Sequence, residues 1–284
     1  MTLRPLGTGV LTALLALPAA AGAQEYRTVR QSRRLDTSAP VTVTVEFAVG
    51  RFQVGPASDG RLYHVDLTYV EDLFDPSIDY DAADRALAIR VSETRGNVKP
   101  RDLKNPRQEL TLQLNPNVPL DLNLQFGAVK AELALGGLAL RQARVETGAS
   151  ETVLSFDRPN AIVCDELRLA VGAAKLTTRA LGNSRCRAVR FEGAAGQVEL
   201  DLSGAWPEGE VSVDVAVAFG EVRLRVPPGI GVRLHTERIL ARVDRADLVK
   251  QGSAYFSADY ERAATKLDID VSTAVGNVVF EWAR

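Results

Sequence analysis

The stretch VPLDLNLQFGAVKAELALGGLAL, residues 118–140, decides how the chain folds. Leu120, Leu122, Leu124 and Phe126 alternate with Asp121, Asn123 and Gln125, the period of a strand with one face buried. At Gly127-Ala128 the parity flips, and Val129, Ala131, Leu133 and Leu135 continue on the opposite set of positions. Such a flip keeps apolar side chains inside while the backbone turns a corner. Glycine suits the corner because it accepts a positive φ or a close backbone neighbour without a Cβ clash.

The same event recurs at Gly148, Gly172, Gly196 and Gly220, at spacings of 21, 24, 24 and 24 residues. Related pieces stand at Ala48-Val49-Gly50 and at Ala274-Val275-Gly276-Asn277. A fixed period in the twenties, with two short strands per period, predicts an all-β, repeat-built, stacked-strand β-solenoid of single-stranded β-helix type. One coil cannot bury its apolar face alone, whereas neighbours stacked ~4.8 Å apart can. An ordinary β-sandwich with regular turns is the competing arrangement. The valines at 211, 213, 215 and 217 alternate with Ser212, Asp214 and Ala216, and Pro227-Pro228 ends the strand that follows. Helical periodicity is confined to Tyr255–Lys266, where strand is the alternative.

Outward from this repeat, Val41, Val43, Val45 and Phe47 alternate with polar residues, so residues 41–117 read as an N-terminal β region, either a separate unit or the opening coils. Within it, Asp72, Asp75, Asp79, Asp81 and Asp84 lack the D-x-D-x-D-G spacing of a calcium loop and read as an acidic surface loop. Residues 24–40 read as a polar arm, a solvated linker whose Arg27, Arg30, Arg33 and Arg34 could touch anionic lipid or glycan phosphate. Before it, Arg4 precedes an apolar run from Leu6 to Leu17, broken by Pro18. The small residues Ala21-Gly22-Ala23 then offer a signal-peptidase site, so residues 1–23 read as a cleaved signal peptide with Gln24 as the new terminus. The run is shorter than the ~20 residues that span a bilayer, and no transmembrane anchor is expected after cleavage.

The composition narrows the function classes. A formal net charge of −2 argues against nucleic acid as a partner. Two His, two Cys and one Met leave little for metal or redox chemistry. His64 and His235 are isolated in sequence, and neither the G-x-S-x-G nor the G-x-x-x-x-G-K-[ST] pattern occurs. The carboxylates of Glu199 and Asp201 face one side of a strand, an arrangement usual for a solvated surface. No catalytic, cofactor-binding or metal-ligating residue is expected, and no cofactor. Cys164 and Cys186 lie 22 residues apart, close to one period, with Cys164 eight before Gly172 and Cys186 seven before Gly193. Adjacent coils would set them one above the other, and an oxidising compartment would close a disulfide there. Two buried free thiols are the alternative.

Residues 118–284 resemble the toast-rack family of bacterial envelope proteins, relatives of the C-terminal domain of LiaF-like cell-wall-stress regulators and of candidate adhesins. The resemblance rests on residues 118–140, on LRLAVGAAKLTTRALGN (167–183), VRFEGAAGQVELDLSG (189–204), VAFGEVRLRVPPGIGV (217–232) and LDIDVSTAVGNVVFEW (267–282). It implies a β-stacked fold and an envelope role in stress sensing or adhesion-like contact, and it supplies no catalytic residues. It departs from LiaF in that a signal peptide, rather than membrane helices, precedes the domain. The expectation is a non-enzymatic exported protein, periplasmic or extracellular, presenting a binding or scaffold surface to an envelope protein, a glycan or a lipid surface. The alternatives are a secreted carbohydrate-active β-helix enzyme and a carrier of apolar ligands.

Overall fold

Alternation of period two survives into the folded chain as a pattern of burial. A computed structural model describes residues 25–94, 108–244 and 247–283. The first part holds β1 (Tyr26–Arg34), β2 (Val41–Pro56), β3 (Arg61–Val70), β4 (Phe74–Asp81), β5 (Ala86–Glu93) and β6 (Glu109–Leu114). The middle holds β7 (Pro119–Ala134), β8 (Ala139–Thr147), β9 (Glu151–Ser155), β10 (Cys164–Arg179), β11 (Cys186–Asp201) and β12 (Gly209–Val226). The last part holds β13 (Gly231–Asp244), β14 (Val249–Gln251), β15 (Ala254–Phe256) and β16 (Thr265–Trp282).

The long strands serve two faces of the stack. The first half of β2 pairs with β5 and its second half with β6. The first half of β7 likewise pairs with β8 and its second half with β9. Strand pairing is parallel along the succession β2, β7, β8 with β9, β10, β11, β12, β16 and β13. The parity flip read at Gly127 is present: Leu122, Leu124 and Phe126 are buried before it, and Val129, Ala131 and Leu133 after it.

Register stacks the buried side chains into rows. Val45, Leu124, Val145, Leu169, Phe191 and Val215 form one row, each buried. Phe52, Ala131, Thr152, Leu176, Val198 and Val222 form another from the second halves. Full burial of a large apolar side chain contributes roughly 1.5–3 kcal/mol, so rows of this kind hold the coils together. Asn160, 1% exposed, ties a loop to the stack: it accepts from the Leu140 amide at 2.8 Å and donates to the carbonyls of Leu140 at 2.8 Å and Ile162 at 2.9 Å.

Several readings of the sequence need correction. Residues 26–34 of the supposed solvated arm are β1, an edge strand antiparallel to β3. Its only apolar inward residue is Val29; Gln31, also half-buried, hydrogen-bonds the Tyr63 hydroxyl at 3.1 Å, and polar residues at the inward positions hid the period. The supposed acidic loop contains β4, in which Phe74, Pro76, Ile78 and Tyr80 face inward and Asp75, Asp79 and Asp81 face water. Tyr255–Lys266 runs from β15 through turns into the start of β16, with no helix. The solenoid is also not strictly sequential. The C-terminal β16 lies between β12 and β13, so the stack ends on β13, β15 and β14. Residues 1–23, with the cleavage site Ala23–Gln24, lie outside the described residues.

Candidate functional site

The strand bends create a surface feature that crosses the stack. From β2 to β16 the residue at the bend carries a methyl group or less: Gly127, Gly148, Gly172, Ala194, Ala218 and Ala274 form the column, which Ala48 extends in β2, while the same register position in β13 is Ile239. The interstrand ladder skips this column. Phe47 pairs with Phe126 and Val49 with Ala128, with no bridge between Ala48 and Gly127. A groove of about 1540 Å³ follows the column across the stack. At roughly 4.8 Å per neighbour it runs on the order of 30 Å from Ala48 to Ala274.

Two residues before the bend, Glu46, Gln125, Glu146, Ala170, Glu192, Ala216, Ser272 and Glu237 line the groove in a row, its polar side chains interrupted by alanine in β10 and β12. The carboxylates of Glu46, Glu146 and Glu192 are engaged. Arg90 meets Glu46 at 3.4 Å, Arg168 meets Glu192 at 2.7 Å, and Arg144 pairs with Glu146. The Gln125 amide also donates to Glu146 at 3.3 Å. Just past the bend, Ala128, Ala173 and Ala195 are exposed, and Phe219 beside Val275 exposes 58% and 43% of its surface and its neighbour's respectively. Thr147 lines the groove, is only 8% exposed, and its hydroxyl has no hydrogen-bond partner among the described residues. The groove therefore has a floor of backbone and methyls and a flank of polar side chains broken by Ala170 and Ala216, while Phe219 and Val275 lie past the bend, outside its lining.

The glycines of the repeat sit inside or between strands and fall into two columns. Gly127, Gly148 and Gly172 stand at the bend itself. A Cβ on Gly127 would come 2.4 Å from the Ala48 carbonyl oxygen, and one on Gly172 would come 2.9 Å from that of Gly148. Gly196 and Gly220 lie two positions further on, in register with Gly276, and all three have positive φ, 147°, 136° and 154°. Equal spacing in sequence merged the two columns, because β10 and β11 are offset by 22 residues and not 24.

Cys164 faces Cys186 in the β10–β11 register, with an S–S distance of 2.03 Å and both residues buried. The bridge closes the loop that carries the short 3-10 turn Leu181–Ser184, flanked by Ala180 and Arg185 in the left-handed region. Glu199 and Asp201 do not form an acid–base pair. Arg225 meets Glu199 at 2.8 Å, and Asp201 accepts from the amides of Ala180 at 3.1 Å and Ser203 at 3.0 Å. His235 has a partner that its sequence neighbours do not announce: Asp270, aligned by β16, lies 3.0 Å from Nδ1. At the end of the second face, the Arg225 guanidinium, hydrogen-bonded to Glu281 at 2.6 Å, holds that carboxyl below the usual glutamate range. Among the described residues no cluster of three or more His, Cys, Asp or Glu is placed to hold a metal, and no helix is long and apolar enough to cross a membrane.

The groove and its rows depend on pairing between distant segments, so sequence alone did not reveal them. The signal was present in the small residues at 48, 127, 148, 172, 194, 218 and 274, but it emerges only once the register is known.

Comparison with known proteins gives two consecutive family matches. Residues 22–162 match the N-terminal domain of toast_rack, and residues 181–279 match a family described as cell wall-active antibiotics response LiaF, C-terminal. No curated protein matches the chain. Similar solved structures include a candidate cell adhesion protein from Clostridium sporogenes, 18% identical with a TM-score of 0.47, covering 91% of this chain and 100% of that one. A candidate adhesin from Bacteroides fragilis is 12% identical with a TM-score of 0.45, over 91% of this chain and 98% of its own. Another from Parabacteroides merdae is 12% identical with a TM-score of 0.39, over 93% and 98%. The two family matches take in the stack from β1 to β16, and by them the chain belongs to the toast-rack family, with a LiaF-like C-terminal domain.

Proposed function

We propose that this is an exported, non-enzymatic protein of the bacterial envelope that works by binding through the outer surface of its stack. The observation that carries this reading is the groove that crosses successive coils, since repeat architectures use extended surfaces of this kind for partners. The engaged carboxylates support it: Glu46, Glu146 and Glu192 of the groove and the pair Glu199–Asp201 are held by arginines and backbone amides rather than poised over an open reaction site. The LiaF-like match supports an envelope setting, and the Leu6–Leu17 run before Ala23 supports export. Periplasm and exterior are both compatible with that leader.

The test is a pull-down from envelope extracts, with and without cell-wall antibiotics in the culture, alongside N-terminal sequencing of the exported protein. The expected results are an enriched envelope component and a terminus near Gln24. Purified protein that degrades glycans while enriching nothing would overturn the reading in favour of a carbohydrate-active enzyme. A carrier of apolar ligands is the second reading, favoured by exposed Phe219 and Val275 beside the methyl-lined floor. Co-purification of a lipid would support it.

A further inference from the structure

We propose that the edge of β3 accepts β1 from a second copy of the chain, so that two molecules exchange their first strands. The surface lies at the β1 end of the sheet, and no residue of β1 or β3 lines the groove. The inference is therefore independent of what the groove does.

The hold on β1 is polar. Its half-buried positions carry Val29, Gln31 and Arg33, opposite the buried Leu67, Val65 and Tyr63 of β3. Gln31 donates to the Tyr63 hydroxyl at 3.1 Å, and the Arg33 guanidinium lies 4.2 Å from the centre of the Tyr80 ring. Arg27 meets Glu71 at 2.9 Å and Arg30 meets Asp66 at 2.8 Å, while the hydroxyls of Thr28 and Thr68 lie 3.1 Å apart. Exposed ion pairs hold weakly, and one partly buried valine adds little apolar burial. An edge strand held this way opens more readily than the stack behind it. On release it returns polar side chains and a single valine to water.

The edge left behind selects what can return. Without β1, the N–H and C=O groups along that side of β3 need a strand. Asp66 and Glu71 place carboxylates that Arg30 and Arg27 meet, and Tyr63 and Tyr80 offer a hydroxyl and a ring face to Gln31 and Arg33. A strand from another protein would need cations at both places to match those carboxylates. The β1 of a second copy has them, and it makes the same contacts in the same register, which is the low-cost route to a dimer.

Chain order leaves β1 free to do this. The sheet sets β3 and β6 between β1 and β2, so β1 does not pair with the strand that follows it in sequence. Three strand spacings, roughly 14 Å, separate the two, and residues 35–40 bridge them. Pro40 biases Ala39 toward extended backbone, which suits a linker that carries β1 away from its own stack.

The experiment uses two single variants of the full exported chain, Thr28→Cys on β1 and Thr68→Cys on β3, at positions that are register partners. Cys164 and Cys186 are bonded to each other, so each variant carries one free thiol. The variants are mixed in equal amounts over a range of concentrations, incubated and mildly oxidised. Unfolding curves confirm that both fold. The double variant, Thr28→Cys with Thr68→Cys, is oxidised at low concentration, where a bridge within one chain shows that the pair lies in disulfide reach. The expected result is a covalent dimer joined from position 28 to position 68, identified by mass spectrometry. Its share should rise with concentration. It should be at least about tenfold more abundant than dimers joined 28 to 28 or 68 to 68, because strand pairing holds the two thiols together and collision does not. Mixed dimers no more abundant than like-with-like dimers at every concentration would overturn the exchange. A double variant that forms no bridge would overturn it as well, because β1 would not lie on β3.

Discussion

At Gly220 the backbone has φ of 136°, and a Cβ there would lie 2.1 Å from the carbonyl oxygen of Gly196 in the next coil. Gly276 repeats the situation against Gly220, at 1.9 Å. Both strain and collision oppose a side chain, so Gly220→Ala and Gly276→Ala should each cost on the order of 1–3 kcal/mol in urea unfolding. Gly252 also has positive φ, 64°, but a Cβ there meets nothing within 4 Å. Gly252→Ala should therefore cost only about 1 kcal/mol, the left-handed penalty alone. The cysteines make a second residue-level prediction. Alkylation without reductant should add no label to Cys164 or Cys186, and replacing both by serine should lower stability by about 3 kcal/mol in the loop-entropy picture. Two labels on the untreated protein would contradict the bridge.

Elements differ in how openly the sequence announces them. β7 and β12 were legible because one face is wholly apolar and the other polar. β1 and β4 were not, because they are edge strands whose charges guard against pairing with other chains. β1 covers the edge of β3, which carries the buried residues Leu62, Tyr63, Val65 and Leu67. Deleting the chain through Arg34 should shift the protein to higher-mass species in size-exclusion chromatography, and an unchanged elution would argue against this role. On the second face, Glu281 is held ionised by Arg225, with Arg223 adding to the effect. Its folded pKa lies below its unfolded value, so the stability it contributes is present above the ordinary glutamate range and is lost as pH falls through the folded pKa. Glu281→Gln should therefore shrink the loss of stability between about pH 6 and pH 3. An identical pH profile in the variant would remove the ion pair from the account of acid sensitivity.

For the whole molecule, the stacked all-β plan was legible from the parity flips and the period, since both follow from local alternation. The groove was not, because its floor is built from residues as far apart as Ala48 and Ala274, and its rows exist only after the coils are in register. The insertion of β16 between β12 and β13 was equally hidden: alternation says that a strand has a buried face but does not say which neighbour it joins. The continuity of the groove past β12 depends on this order. Engineered cysteine pairs test it. Asp214 on β12 is in register with Asp270 on β16, and Asp270 in turn with His235 on β13. Asp214→Cys with Asp270→Cys should cross-link on mild oxidation. Asp214→Cys with His235→Cys should not, because an intervening strand holds those positions roughly 9–10 Å apart, beyond disulfide reach. Cross-linking of the second pair without the first would mean that β13 follows β12 directly, and the groove as described would not exist.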